Sequence, residues 1–210
     1  MARAKQAVTT LTYSVHPSVG VMQAWISGLL TKTGRTLEEW VELVQDEGPE
    51  TERERRAWLK VKHGLGGNAS WWIAQRAEGR GAEDGDPEAY LRAAHGYVDS
   101  MFAGQKAALR PIYERILDLA AKLGADVKVC PCKTMIPLYR RHVFAEIRPA
   151  TSARLDLGLA LGKLDAPDRL VVTGGYEKKD RITHRIALAT VSQVDSEVKK
   201  WLKHAYDLDA

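Results

Sequence analysis

The sequence is poor in cysteine and has no long apolar run. Its 210 residues contain two cysteines, Cys130 and Cys132, too few and too close together for the disulfide framework of a small secreted domain. No stretch approaches the roughly 18 to 20 apolar residues that span a bilayer. Arg3 and Lys5 near the N-terminus have no apolar segment behind them, so the sequence predicts no signal peptide. These absences favour a cytoplasmic protein with no membrane partner.

Catalytic signatures are also absent. The chain has no Walker loop, no HExxH helix and no nucleophile elbow. Asp126-Val127-Lys128 matches an Asp-x-Lys element, in which a carboxylate and a lysine serve a metal and its water. The upstream acidic strand residue that such sites need is missing, because Asp118 lies in a predicted helix. Cys130-Pro131-Cys132 lacks the second cysteine pair of a zinc site. We therefore predict no catalytic residue, no metal site and no cofactor.

The chain does have a moderate and uneven positive charge. It contains 31 Lys and Arg against 27 Asp and Glu, a net charge of +4, and its 45% hydrophobic content suffices for a buried core. Residues 126–210 hold 15 basic and 11 acidic groups, which equals the whole surplus. An anionic partner is therefore permitted by this C-terminal part, although the charge does not require one.

A short polar, glycine-rich segment at residues 80–86 indicates a linker between two domains. Before it, residues 1–79 predict a tryptophan-rich domain of four helices, the first over 19–32. Two capping boxes, three glycine stops and one asparagine N-cap mark the helix ends: Thr36 with Glu39, Thr51 with Glu54, Gly34, Gly48, Gly64 and Asn68.

Residues 87–210 predict an α+β domain. Two helices begin near Pro87 and Pro111, and a last helix begins near Ser192 or Asp195. Between them the apolar period becomes two, which predicts five or six strands at 126–130, 135–140, 143–148, 154–161, 170–173 and 181–188. The connections are too short for parallel crossovers, so the sheet should be mostly antiparallel with flanking helices.

Two sets of motifs resemble uncharacterised bacterial domains. Lys32-Thr33-Gly34-Arg35-Thr36, Trp58-Leu59-Lys60 and His63-Gly64-Leu65-Gly66 are similar to the helical domain of unknown function 4287. The segment from Pro131-Cys132-Lys133-Thr134 through Phe144-Ala145-Glu146-Ile147 resembles domain of unknown function 5655, an α+β domain similar in layout to bacterial proteins of the YdhG type. The resemblance implies two domains in this order. It implies no activity, so no catalytic residue is carried over.

The first candidate site is the turn between the third and fourth predicted helices, which is similar to the hairpin of helix-hairpin-helix proteins. Its glycines would let the backbone approach a phosphate, and free amides at a helix N-terminus favour an anion. The alternative is that the glycines and the asparagine only cap helices. The predicted anion-binding residues here are Lys60, Lys62, Gly64, Gly66, Gly67 and Asn68.

Two adjacent tryptophans, Trp71 and Trp72, are candidates for stacking on a ligand. They lie about 100° apart on a helix, so both are buried only if that helix packs on two sides. The alternative is that both belong to the core, as most tryptophans at helical spacing do.

The second candidate site is the polar face of the predicted sheet. If Ala145 and Ile147 point inward, then Phe144 and Glu146 point outward, and an arginine-rich face with aromatic residues suits phosphates and bases. The predicted anion-binding residues here are Lys133, Tyr139, Arg141, Arg148, Arg154 and Arg185. The alternative is that these arginines pair with Glu146 and Asp156 across the strands. His184 is predicted as a hydrogen-bonded core histidine.

The leading hypothesis is a protein that binds an anionic partner, nucleic acid in the first place, without catalysing a reaction. A second hypothesis is a small-molecule or metal-binding protein with its pocket between the two domains. A third is a metal-dependent nuclease that uses Asp126. The sequence leaves the oligomeric state open.

Overall fold

A computed structural model describes residues 12–167 and 169–210 of the chain. The contacts divide the chain into two compact units. The helical unit comprises Val15–Ala93, and the α+β unit comprises Ala94–Ala210 with the described residues before Val15. The segment 1–11, where we predict no signal peptide, lies outside the described residues.

The helical unit consists of short helices joined by tight turns. Those before residue 79 are α1 (Pro17–Ser27), α2 (Leu29–Thr33), α3 (Leu37–Glu47), α4 (Glu52–His63) and α5 (Gly67–Ala77). The single helix predicted over 19–32 is divided into α1 and α2 at Gly28, a residue of low helix propensity. The predicted four helices are therefore five in the described part of this region. A further helix, α6 (Pro87–Met101), begins in this unit.

Local capping chemistry determines where these helices begin and end. Thr36 Oγ1 accepts a hydrogen bond from the Glu39 amide at 3.2 Å, and the Glu39 carboxylate accepts one from the Thr36 amide at 2.7 Å. The predicted capping box at Thr51 is also present. Gly34 and Gly64 end α2 and α4 in the left-handed conformation, with φ of 76° and 67°. Gly48 ends α3 in an extended conformation. Both capping boxes and all three glycine stops are confirmed.

The start of α5 differs from the prediction. Asn68 is not the N-cap, because the helix begins at Gly67 and Gly66 is the capping residue. The preceding turn is a left-handed glycine cap: the Gly64 and Leu65 amides donate to the carbonyls of Lys60 and Leu59 at 3.1 and 3.2 Å. This tight closure leaves Gly66 extended and allows the next helix to begin at once, two residues earlier than an asparagine cap would.

Apolar residues from several helices form the core of this unit. Its buried members include Leu29, Leu37, Trp40, Val44, Leu59, Leu65, Ile73, Ala74 and Ala77. Ser70 is fully buried on α5, and its hydroxyl donates to the Gly66 carbonyl at 3.0 Å. A small residue is thus required where α5 packs closest.

The segment 80–86, predicted as a linker, has its own structure. It contains a short 3-10 turn at Ala82–Asp84. A Cβ on Gly85 would lie 2.9 Å from Ile26 Cδ1, so this segment packs closely against the end of α1.

The α+β unit contains all six predicted strands in an antiparallel sheet of order β1-β2-β3-β4-β6-β5. The strands are β1 (Lys128–Val129), β2 (Ile136–Tyr139), β3 (Val143–Pro149), β4 (Leu155–Leu159), β5 (Val171–Val172) and β6 (His184–Leu188). Helices α7 (Arg110–Ala120) and α8 (Ser196–Leu208) flank them, and α8 begins directly after its N-cap Asp195, the later of the two predicted starts. The predicted α+β class is confirmed. Within the described ranges, no helix has the length and apolar character needed to cross a bilayer.

A β-bulge changes which side chains of β3 face the core. Tyr139 pairs with Val143 but Leu138 pairs with Ala145, so Phe144 is an extra residue on this strand. Its side chain is fully buried, with its ring 5.6 Å from that of Tyr206. The predicted outward orientation of Phe144 is therefore wrong, and the regular alternation resumes only after Ala145.

The prediction for His184 is confirmed. The residue is 1% exposed, and its ring nitrogens lie 2.9 Å from the Leu164 carbonyl oxygen and from Thr183 Oγ1. It is a hydrogen-bonded core residue.

Candidate functional site

The helical unit contains a cavity of about 610 Å³ beside the turn at Gly64. We call it the basic cavity, because its described lining residues include three basic side chains and no carboxylate. The lining consists of Lys32, Arg35 and His63, the indoles of Trp25 and Trp40, and Leu29, Thr33, Gly64, Leu65, Gly66 and Ala69. Such a lining favours an anion with an aromatic or apolar part.

The end of α2 positions one wall of the basic cavity. Gly34 reverses the chain there, so that Lys32 and Arg35 both reach the cavity. Thr33 Oγ1 donates to the Leu29 carbonyl and accepts a hydrogen bond from Trp40 Nε1, both at 2.8 Å. The Arg35 guanidinium lies 5.3 Å from the Trp40 ring, a cation–π contact. Both the indole and the guanidinium are therefore held in place.

His63 ends α4 and lies beside two indoles, with ring centroids 5.3 Å from Trp40 and 4.5 Å from Trp58. Its Nε2 is buried and has no hydrogen-bond partner among the described residues. Burial, and then the nearby charges of Lys62 and Arg35, lower the pKa of His63, against a raising effect of Glu47. The ring is therefore neutral at pH 7, and the positive charge of the cavity comes from lysine and arginine.

The amino end of α5 lies beside the basic cavity, which Gly66 and Ala69 line. The first amides of a helix have no acceptor in their own helix, and the Gly66 cap supplies no side chain. Lys60 Nζ lies 3.7 Å from where a Cβ on Gly67 would stand, so this ammonium group covers the start of α5. Asn68 is exposed in the first turn. Of the six residues predicted at the turn, Gly64 and Gly66 line the basic cavity, whereas Lys60, Gly67 and Asn68 lie next to them without lining it in the described structure.

Lys62, the sixth predicted residue, is directed elsewhere. Its ammonium group pairs with Glu47 at 3.4 Å and lies 5.0 Å from the Trp58 ring. It does not line the basic cavity among the described residues.

Trp71 and Trp72 are both half-buried, and neither lines the basic cavity in the described structure. Trp72 packs edge-on against Trp25, with ring centroids 4.7 Å apart, and Trp71 lies 6.4 Å from Trp72. Trp72 therefore supports a wall of the cavity from behind.

The polar face of the sheet forms a second cleft, of about 450 Å³. Arg148 and Arg185 line it as the predicted face requires, together with Lys178 and three acidic residues. The arginines pair with these acids: Arg148 with Glu146 at 3.2 Å, and Arg185 and Arg154 with Asp156 at 3.3 and 3.0 Å. Burial raises the pKa of Glu146, against the lowering effect of Arg148. The cleft is thus nearly neutralised from within.

The other predicted residues of this domain do not line the cleft in the described structure. Lys133 is exposed, with Nζ 5.8 Å from the Tyr97 ring. Tyr139 is half-buried at the end of β2, where burial raises its pKa. The backbone amide of Arg141 donates to Asp209 Oδ2 at 3.0 Å.

The side chains considered for metal or thiol chemistry have other partners. Asp126 accepts hydrogen bonds from the Tyr206 hydroxyl at 2.6 Å and from Arg140 Nε at 2.8 Å. Burial raises the pKa of the Cys130 thiol to about 12, so it is not a reactive thiolate. Across residues 12–167 and 169–210, no group of three or more His, Cys, Asp or Glu side chains could hold a metal ion.

The site residues predicted from the sequence do not include Lys32, Arg35, Trp25 or Trp40. The sequence contains one indication of this site: Lys32 and Arg35 lie on either side of Gly34, the glycine that reverses the chain after α2. The segment 32–36 and the segment 63–66, on which the resemblance of the helical domain was based, meet at this cavity.

Two family models match the chain. Domain of unknown function (DUF4287) matches residues 22–79, and Domain of unknown function (DUF5655) matches residues 98–209, more than half of the chain. These are the two domains of the predicted resemblance, in the predicted order. No curated protein and no solved structure matches the chain. A function has to be argued from the site itself.

Proposed function

We propose a function from the site alone, since the chain belongs to the Domain of unknown function (DUF5655) family, whose description assigns none. The protein binds nucleic acid through the helical unit and catalyses no reaction. The observation that supports this proposal is the basic cavity, which Lys32 and Arg35 line together with Gly66, the residue that caps the start of α5. Phosphate oxygens are the ligands that such donors bind best.

In the part of the chain that the structure describes, the cations at the basic cavity lack ion pairs and the arginines of the sheet cleft have them, which favours the helical unit as the binding site. Within the described residues, Lys32, Arg35 and Lys60 form no ion pair with a carboxylate. Each can neutralise a phosphate without first releasing an acidic partner. The arginines of the sheet cleft are already paired, so an incoming phosphate would have to compete with Glu146 and Asp156.

We also propose that this binding takes place in the cytoplasm of a bacterial cell. Support comes from the low cysteine content, two residues in 210, which suits a reducing compartment. Fractionation of cells that express the full chain tests the location.

Fluorescence anisotropy with labelled DNA and RNA oligonucleotides, titrated between about 50 and 200 mM salt, tests the proposed function. With about three phosphates neutralised on a single strand, log K should fall with log salt at a slope near −2. The double variant Lys32→Ala, Arg35→Ala should weaken binding about tenfold or more at the lowest salt and flatten this slope by more than 1.

The control for this experiment is the double variant Lys199→Ala, Lys203→Ala, which removes the same net charge from α8. It should bind as the unaltered protein does. The proposal is wrong if no oligonucleotide binds at low salt, if the affinity does not depend on salt, or if the α8 variant is equally impaired.

The two other hypotheses keep their own tests. The hypothesis of a small-molecule or metal-binding protein with its pocket between the two domains predicts a ligand or metal retained in native mass spectrometry. The nuclease hypothesis predicts Mg²⁺-dependent cleavage that is lost in Asp126→Ala. For cleavage, Asp126 would have to give up the hydrogen bonds from Tyr206 and Arg140.

A further inference from the structure

The basic cavity has an aromatic wall that phosphate binding does not use. Trp25 lines it and is half-buried, so part of its indole is open. Trp72 packs against it edge-on at 4.7 Å and limits its movement. A supported, partly open indole is a stacking platform that is already in position before a ligand arrives.

Trp40, the other indole of the lining, has a different role. It is 3% exposed and lies under the guanidinium of Arg35. Its surface is thus used to hold Arg35, which presents its donors toward a ligand while Thr33 fixes the indole through Nε1. The cavity therefore combines one open stacking surface with a positioned cation.

The size of the basic cavity also exceeds what a phosphate group needs. Its volume of about 610 Å³ lies within the range of about 300 to 1,000 Å³ typical of sites for whole small molecules. Apolar side chains, Leu29, Leu65 and Ala69, complete its lining. A planar, largely apolar group joined to a phosphate fits both parts of this lining.

We infer that the basic cavity takes one unpaired nucleotide of a single strand, with its base against Trp25 and its phosphate at Lys32, Arg35 and the start of α5. This inference rests on the proposed function and names its substrate class. In a duplex the bases are stacked and paired, and only an unpaired base reaches a cavity without loss of those contacts. Since every base has a π-face, stacking here selects strand state rather than sequence.

Three DNA probes test this inference with the full chain: a single strand of about 12 nucleotides, a blunt-ended hairpin duplex of the same composition whose loop is a non-nucleotide linker, and a strand of the same length in which every base is absent. All three carry phosphates, so they separate base contacts from charge. We expect the single strand to bind at least tenfold more tightly than either other probe, the gain from one stacked base.

The variant Ala69→Leu fills the cavity and leaves Lys32, Arg35 and Lys60 in place. It should reduce the affinity for the single strand to that for the base-free strand, without changing the latter. Ala57→Leu, the same substitution at an exposed position of α4, is the matched control. Because Ala69→Leu can disturb the core, Trp25→Leu serves as a second variant, with Trp71→Leu as its control outside the cavity.

Equal affinity for the single strand and the hairpin, or for the single strand and the base-free strand, would overturn this inference and leave nucleic-acid binding intact. The same holds if Trp25→Leu and Trp71→Leu weaken single-strand binding equally. If none of the three probes binds at low salt, the proposed function itself is wrong.

Discussion

Replacing Asp209 by alanine should destabilise the α+β unit far more than its position next to the end of the chain suggests. The side chain is 4% exposed and accepts four hydrogen bonds. Oδ2 accepts from the backbone amides of Arg141 and His142 at 3.0 and 2.7 Å, and Oδ1 accepts from the His142 ring and from Arg181 at 3.0 and 2.8 Å. One carboxylate thus fixes the loop that joins β2 to β3.

The size of the effect follows from the exposure of these partners. Hydrogen bonds from backbone amides to a charged group contribute about 1.5 kcal/mol each at the lower end. His142 and Arg181 are 63% and 46% exposed, so their contributions sum to at most about 1 kcal/mol. A carboxylate at the end of α8 opposes the helix dipole, which subtracts up to about 1 kcal/mol. We expect Asp209→Ala to lower the free energy of unfolding by about 3 kcal/mol.

Native-state hydrogen exchange of the β3 and β4 amides in low urea measures this loss. Tryptophan fluorescence is unsuitable, because five of the six tryptophans lie in the helical unit. The control is Asp207→Ala, whose half-exposed carboxylate pairs with Lys203 one turn away and should cost only about 0.3 to 0.5 kcal/mol. A loss for Asp209→Ala within about 0.5 kcal/mol of this control would refute the argument.

The same carboxylate should make stability depend on acid pH. Burial by itself would raise the pKa of Asp209, but the bonds from His142 and the charge of Arg181 outweigh burial and lower it. The contribution is therefore present above the pKa of an unfolded aspartate, about 3.9, and is lost as the pH falls through the lower folded value. The difference in stability between Asp209→Ala and the unaltered protein should shrink over that interval.

Two further predictions concern the basic cavity. Gly66→Ala should weaken oligonucleotide binding in anisotropy while leaving the melting temperature nearly unchanged, because φ is −65° and a Cβ meets no atom within 4 Å. Gly64→Ala is a poorer test, since its φ of 67° strains any other residue; equal binding by both variants and the unaltered protein would exclude the turn. The pKa of His63 is lowered in the folded protein, so the fold disfavours the charged ring. Protonation of His63 should therefore reduce the stability of the helical unit as the pH falls below about 6.5. NMR titration of the ring should then give a value below that of an unfolded histidine, and a value above it would contradict this.

The features that the sequence predicts well depend on residues close together in the chain. A capping box needs a threonine and a glutamate three residues apart, so Thr36 with Glu39 can be identified without tertiary contacts. The prediction for Phe144 is wrong because its orientation depends on residues that are not its neighbours in the pattern. Its burial depends on an extra residue opposite β2, which only the pairing of two strands reveals. The basic cavity is formed by segments 32–35 and 63–66, and local patterns do not indicate that these segments meet.

The distribution of charge shows why counting residues does not locate the cations that lack an acidic partner. Residues 126–210 hold the net surplus, yet six of their arginines pair with carboxylates: Arg140, Arg148, Arg154, Arg169, Arg181 and Arg185. Residues 1–79 are nearly neutral by count, but several of their acids have other partners. Glu39 and Glu54 cap α3 and α4, and Glu47 holds Lys62. Lys32 and Arg35 are thereby left unopposed at one cavity, and it is unopposed charge that attracts an anionic ligand.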